Sequence, residues 1–235
     1  MPHPGFGAML VAIGGLATLS AADIQGVVTI KHKLTKRKVT LPAGPYDRGV
    51  TAGLPVESTD NPLDYERRHV VVYLDGEFPG GAVPPPATME QKNRRFVPDL
   101  LAVPVGATVS FPNLDPIFHN VFSFSKPKSF DLGNYPAGHT RTVTFSKPGV
   151  VLVNCHLHSN MAAAIIVTPN RWSAIPSDDG RFTLRNTPPG KHVVVAWHKA
   201  AGFFRQTVIV DAVAGAHVEF VIPLDENGAR TVAQR

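Results

Sequence analysis

The 235-residue chain has a single cysteine, Cys155, so no disulfide can form within it and cysteine usage leaves the compartment undefined. Charge is missing from its beginning: no Asp, Glu, Lys or Arg precedes Asp23. Three catalytic signatures are absent as well. Without Gly-x-Ser-x-Gly, His-Glu-x-x-His or a phosphate-cradling glycine loop, the usual sequence grounds for a serine hydrolase, a zinc protease or a nucleotide-hydrolysing enzyme are gone. Helical periodicity is almost absent, which argues against a helical bundle. Long apolar runs are scarce too. The uncharged stretch from Gly5 to Ala22, 18 residues, is the one segment near the lower limit for spanning a bilayer.

That stretch ends in Ser20-Ala21-Ala22, small residues where a signal peptidase needs them, and Asp23 follows. The pattern predicts a secretory signal over 1–22, although its first residues carry only His3 and the α-amine rather than Lys or Arg. The expected location is therefore periplasmic or extracellular. An uncleaved N-terminus is the alternative, and it would associate the protein with a membrane. In an exported chain an exposed free thiol would oxidise, so Cys155 is expected to have a protected role.

Hydrophobic residues make up 43% of the chain, enough for packed cores, while 20 Gly and 22 Pro lie scattered between short apolar runs and predict many strands joined by many turns. The net charge is +5, yet the one dense basic run, 31–38, alternates with apolar residues like a solvated hairpin edge. No basic face interleaved with stacking aromatics is visible, so nucleic acid is not an expected partner. The positive balance suits an acidic redox partner or an anionic membrane surface.

Strands are predicted at 24–30, 70–74, 108–111, 140–145, 150–153, 163–167, 182–184, 192–197, 206–210 and 217–222. Loops are predicted at 42–61 and 80–86. These divide the chain into a signal (1–22), an N-terminal β module partly packed on the next domain (23–86), a β-sandwich (87–169), a second small β-sandwich (170–225) and a polar tail (226–235). The fold class is all-β.

Chemistry concentrates in Asn154-Cys155-His156-Leu157-His158-Ser159-Asn160-Met161. A thiolate, an imidazole three residues on and a thioether three further on are soft and borderline donors, which favour copper over magnesium or calcium. The loop follows a predicted strand and is short, so Cys155 and His158 must point into one small volume. Met161, at the start of the next strand, can reach the same point as a weaker axial donor. A second imidazole comes from His119, in a turn-rich segment between two strands. Two His, one Cys and a long axial Met form the donor set of blue-copper electron-transfer sites.

With these residues on the page, 89–169 resembles a cupredoxin of the plastocyanin/amicyanin type. The shared motifs are Asn113-Leu114-Asp115 running into His119-Asn120-Val121, then Cys155-x-x-His158-x-x-Met161. The resemblance covers about a third of the chain. It implies a Greek-key sandwich, one type 1 copper held by His119, Cys155, His158 and Met161, single-electron transfer with a protein redox partner, and no catalysis. It also implies that Asn120 hydrogen-bonds the loop carrying Cys155. His156 and Leu157 replace the Thr-Pro common at those positions in amicyanins. The flanking segment, with Asp179-Gly180-Arg181 and Pro188-Pro189-Gly190, resembles carboxypeptidase-regulatory-like or transthyretin-like β modules, which usually act as scaffolds.

Strand alternation predicts that His156 points away from the metal. His69, His139, His192, His198 and His217 read as ordinary strand and turn residues. An apolar rim of Pro116, Ile117, Phe118, Ala162 and Ala163 is expected around His158. The alternative to an electron carrier is a copper-handling or copper-sensing module that binds Cu(I) without passing electrons.

Overall fold

The computed structural model describes residues 21–35, 61–78 and 84–223. Most of the predicted signal, the basic run beyond 35, most of the two predicted loops and the tail lie outside the described residues. The strands, in chain order, are β1 (Ala22–Ile30), β2 (Val70–Leu74), β3 (Ala87–Thr88), β4 (Glu90–Lys92), β5 (Arg95–Val97), β6 (Leu100–Pro104), β7 (Thr108–Pro112), β8 (His119–Ser125) and β9 (Lys128–Tyr135). They continue as β10 (Thr140–Thr144), β11 (Gly149–Asn154), β12 (Ala162–Thr168), β13 (Ser173–Ala174), β14 (Arg181–Thr187), β15 (Gly190–His198), β16 (Gly202–Val210) and β17 (Ala216–Ile222). One helix, α1 (Pro62–Arg68), precedes β2. Its signals are all at its ends. Asn61 Oδ1 accepts the Leu63 amide at 3.0 Å, Asp64 sits in the first turn, and Arg67 and Arg68 sit in the last. Seven residues are too few for an apolar period to show. No helix among the described residues is long and apolar enough to cross a membrane.

The middle of the chain forms the first sandwich. A five-stranded sheet, β6-β12-β11-β8-β9, faces a three-stranded one, β10-β7-β3, and the hairpin β4-β5 lies beside them. Phe111, Val121, Tyr135, Phe145, Val151, Val153, Met161 and Ile165 fill its core, and Cys155 lies among them.

The sequence reading separated 23–86 from 170–225, but strands from the two segments share both sheets of a second sandwich. β1 lies between β14 and β17, and β2 lies between β13 and β15. The sheets enclose one core of Ile24, Val28, Val72, Leu74, Phe182, Leu184, Val194 and Phe220. The reason is geometric. All five residues of β2 are buried, so it needs a neighbour on each edge and a layer against each face, which two isolated strands cannot supply.

The two sandwiches touch through the outer faces of their sheets. Val71 and Tyr73 of β2 and Val195 and Trp197 of β15 pack on Leu100, Ala164 and Ile166. Each large apolar side chain fully buried there contributes about 1.5–3 kcal/mol. This contact buries β2 and most of β12 on both faces, which is why 70–74 and 163–167 read as unbroken apolar runs.

Two buried histidines among those read as ordinary face carboxylates. His198 is fully buried, and its Nε2 donates to Glu66 Oε2 at 3.0 Å while its Nδ1 accepts the Ala200 amide at 3.2 Å. Burial pushes its pKa down and keeps the ring neutral. Glu66 also accepts the Leu34 amide and both the amide and hydroxyl of Thr35 at 2.8–3.0 Å. Burial alone would raise its pKa, but these donors outweigh it and hold the carboxyl low. His69, just before β2, donates from Nδ1 to the Tyr65 carbonyl at 2.7 Å and faces Asp99, just before β6, at 3.0 Å. Despite burial, Asp99 raises the His69 pKa, and His69 in turn overcomes burial to lower that of Asp99. This pair clamps one sandwich to the other.

Glu66→Ala removes four hydrogen bonds at once, and we expect a loss of about 3 kcal/mol in denaturant unfolding. The His69–Asp99 pair sets a pH window. The His69 contribution is complete below its unfolded pKa of about 6.5 and is lost as pH rises through the raised folded value. The Asp99 contribution is present above about 3.9 and is lost as pH falls through the lowered folded value. Asp99→Asn should therefore cost about 0.5–1 kcal/mol near pH 5.5 and less at about pH 9, read from urea midpoints of both proteins at each pH.

Candidate metal centre

β11 and β12 are antiparallel neighbours, with Asn154 opposite Ala162. The seven residues between them, 155–161, close on themselves: the Cys155 amide donates to the Met161 carbonyl at 3.3 Å and the Met161 amide to the His158 carbonyl at 3.0 Å. β8 runs beside β11, with Phe122 opposite Asn154. His119 is the first residue of β8 rather than part of an irregular turn, and strand pairing carries it to the loop.

Three donors meet at this point. His119 Nδ1 lies 3.1 Å from His158 Nδ1, and Cys155 Sγ lies 3.8 Å from the same His158 nitrogen. The donor atoms of His119, Cys155 and His158 all lie within 4.8 Å of one another. His119 and Cys155 are buried and His158 is half-buried. Met161, expected as a fourth donor, is fully buried in the same core as Cys155.

Asp115 sets the orientation of His119. Its Oδ2 lies 2.8 Å from His119 Nε2, so Nε2 carries the proton and Nδ1 turns its lone pair toward His158 and Cys155. Burial pushes the Asp115 carboxyl up, but the Arg94 amide, the His119 ring and the Asn93 amide together hold it below the usual range. Those amides donate at 2.8 Å (Arg94) and 2.6 Å (Asn93). Both residues have positive φ, 55° and 54°, so consecutive N–H groups point at one carboxylate as an anion-binding nest. Asn113 fastens the same loop, donating to the carbonyls of Ile117 and Tyr135 and accepting the Asp115 amide.

The Asn120 amide donates to Cys155 Sγ at 3.4 Å, and its side-chain oxygen accepts the His156 amide at 3.4 Å. The contact expected of Asn120 with the Cys155 loop is therefore present. Its side-chain nitrogen donates to Asp131 at 2.7 Å. His156 lies outside the cluster, stacked on Phe122 with ring centres 3.7 Å apart, and its Nε2 is 3.6 Å from Asp131.

His158 has its pKa lowered by burial first, then by the His119 ring and the Arg94 charge, against Asp115. At neutral pH it offers a lone pair. In the segments that carry the donors, Leu114, Phe118 and Leu157 are 49%, 55% and 48% exposed. Pro116 and Ala162 are exposed as expected, but Ala163 is 2% exposed and packs inward, because alternation along β12 turns it into the core.

Sequence reasoning assigned no role to Asp115, Asp131 or Arg94. Asp115 had a signal, since it ends the Asn-x-Asp motif and stands four residues before His119. The other two are brought in only by strand pairing.

The donor chemistry fits a copper or zinc ion. Two nitrogens bound at about 2.0–2.1 Å can lie at most about 4.2 Å apart, and a nitrogen and a sulfur at most about 4.4 Å; the two pairs that involve His158, 3.1 and 3.8 Å, fall inside these limits, and the third lies within 4.8 Å. Magnesium and calcium would require oxygen donors, and the nearest carboxylate, Asp115, is committed to amides and His119.

No protein-family model and no curated protein matches the chain. Among solved structures it is similar to a copper-containing nitrite reductase from Thermus scotoductus SA-01, at 28% identity and TM-score 0.34 over 39% of this chain and 25% of that one. A purple cupredoxin from Nitrosopumilus maritimus matches at 23% identity and TM-score 0.32, over 35% of this chain and 99% of that one. A reduced amicyanin variant matches at 17% identity and TM-score 0.33, over 41% of this chain and 97% of that one. The chain thus spans a quarter of the reductase. At TM-scores this low, the functional reading rests on the geometry of the site.

Asp115→Ala frees the His119 ring to rotate and strips the Asn93 and Arg94 amides of their acceptor. We expect Cu(I) affinity to fall about 10–100-fold, measured by competition with a chromophoric Cu(I) chelator.

Proposed function

We propose that the protein is an exported, cupredoxin-type electron carrier that holds one type 1 copper through His119, Cys155 and His158, with Met161 as the axial donor. The observation that carries this reading is the convergence of two Nδ1 atoms and one sulfur, with His119 and Cys155 buried and His158 half-buried. When bound, copper supplies a one-electron couple between +1 and +2. A thioether supplied by Met161, which is buried in the same core as Cys155, would favour copper over zinc.

The chain's own residues hold that site ready. Asp115 keeps the proton on His119 Nε2. The Asn120 amide donates to the Cys155 sulfur and holds it in place. The hydrogen bonds from the Cys155 amide to Met161 and from the Met161 amide to His158 fix the loop, so the donors have little room to rearrange. The core around Cys155 and Met161 excludes water, and the half-buried ring of His158 is where the site reaches the surface. The apolar residues around that ring, Leu114, Pro116, Phe118, Leu157 and Ala162, suit brief contact with a protein redox partner. The uncharged N-terminus supports a role in the periplasm or outside the cell.

Loading with Cu(II) tests the reading. We expect an intense visible thiolate-to-copper band that Cys155→Ser abolishes and Met161→Leu retains with an altered reduction potential. A colourless protein that holds Cu(I) and resists oxidation would instead identify a copper-handling module. Phe118→Glu should leave the band intact and slow electron self-exchange about tenfold or more, followed by NMR line broadening in mixtures of the two oxidation states.

A further inference from the structure

The hairpin β4–β5 carries a cluster of positive charge at the edge of the donor site. Lys92, Arg94 and Arg95 are all exposed. Among the described residues none of the three side chains has a carboxylate partner. The hairpin is also fastened to the rim around His158. Gln91 accepts the Leu114 amide at 2.9 Å, and the Asn93 and Arg94 amides hold Asp115.

Arg94 occupies a position that disfavours it. The two-residue turn Asn93-Arg94 has positive φ at both positions, the geometry for which Asn-Gly is the favoured pair. A left-handed arginine is held there at a conformational cost that glycine would avoid, while the amide that binds Asp115 would be the same in either residue. The side chain, directed to solvent, is what glycine would lack. Nearby acids do not neutralise this edge, since Asp115 is buried and committed and Glu90 is half-buried on the hairpin's first strand.

We propose that Lys92, Arg94 and Arg95 form the cationic side of a docking surface whose apolar side is Leu114, Phe118 and Leu157, and that it receives an acidic redox protein. The partner's contact face would carry carboxylates beside an apolar centre. Charge at this edge raises the encounter rate and orients the partner over His158, while the apolar contacts stay small enough for rapid release. This rests on the copper reading above.

The test uses copper-loaded protein and two small oxidants of opposite charge, hexacyanoferrate(III) and tris(phenanthroline)cobalt(III). The wild type should react with the anion faster at low salt, with a rate that falls as salt rises. Lys92→Glu with Arg95→Glu should cut that rate about tenfold or more, speed the cationic oxidant, and converge on wild type at high salt. A double variant indistinguishable from wild type with both oxidants overturns the proposal. If no copper-dependent exchange occurs at all, the copper reading fails, and the docking surface is judged separately on metal-free protein. There, a polyglutamate peptide should shift the amide NMR signals of residues 92–95, 114, 118 and 157 at low salt, and the double variant should lose those shifts. Shifts confined to other surfaces overturn the proposal. Arg94→Gly should raise the melting temperature while weakening the peptide response, and a variant that binds the peptide like wild type counts against it.

Discussion

A buried carboxylate joins the parts of the site. Asp115 accepts two consecutive amides from the hairpin turn on one side and faces the His119 ring on the other. Its charge is tolerable in that position because donors surround it. Its effect on the imidazole is directional: with the proton drawn to Nε2, the remaining lone pair has one way to face, toward His158 and Cys155. The same contact ties the cationic hairpin to the donor cluster, so electrostatics at the surface and tautomer choice in the interior share one residue.

The second sandwich serves the first as a rigid support. It covers the outer face of β6 and β12, the half of the large sheet from which Met161 and the loop 155–161 lead away. The other half of that face stays open, and there Phe122 packs against both His156 and Phe124, outside the donor cluster. Clamping one half and exposing the other leaves the donor loop hanging from a strand that is packed on both faces. Such a strand moves little when its end is perturbed.

Much of this was legible in the sequence. Alternation and turn spacing gave the all-β class and ten of the strands, and the Cys155 and His158 spacing together with His119 led to the donor cluster. What escaped did so for identifiable reasons. β8 opens on a histidine and carries serines and asparagine, so its strand character comes from pairing with β9 and β11 rather than from its own composition. α1 is too short to show a period. The run 150–153 is apolar throughout, yet Leu152 faces solvent because that end of β11 lies beyond the cover of the second sandwich. The shared sheets of 23–86 and 170–225 were hidden because β1 pairs in parallel with β17, a partnership no local pattern announces. Asp115 sat inside a recognised motif without a role until the amides of Asn93 and Arg94 gave it one.

That parallel pairing has a consequence for the order in which the molecule assembles. Ile24 finds its neighbour Ala216 only after the whole of the first sandwich between them has left the ribosome, whereas every strand around the donor cluster comes from one continuous stretch. The inner body can complete its own local contacts early, and the outer body is the late-closing part, waiting on its final strand. During synthesis the flat outer face of β6 and β12 stays uncovered until then. It is an apolar surface with a delayed lid, and the interval before closure is when the chain is most exposed to the wrong neighbour.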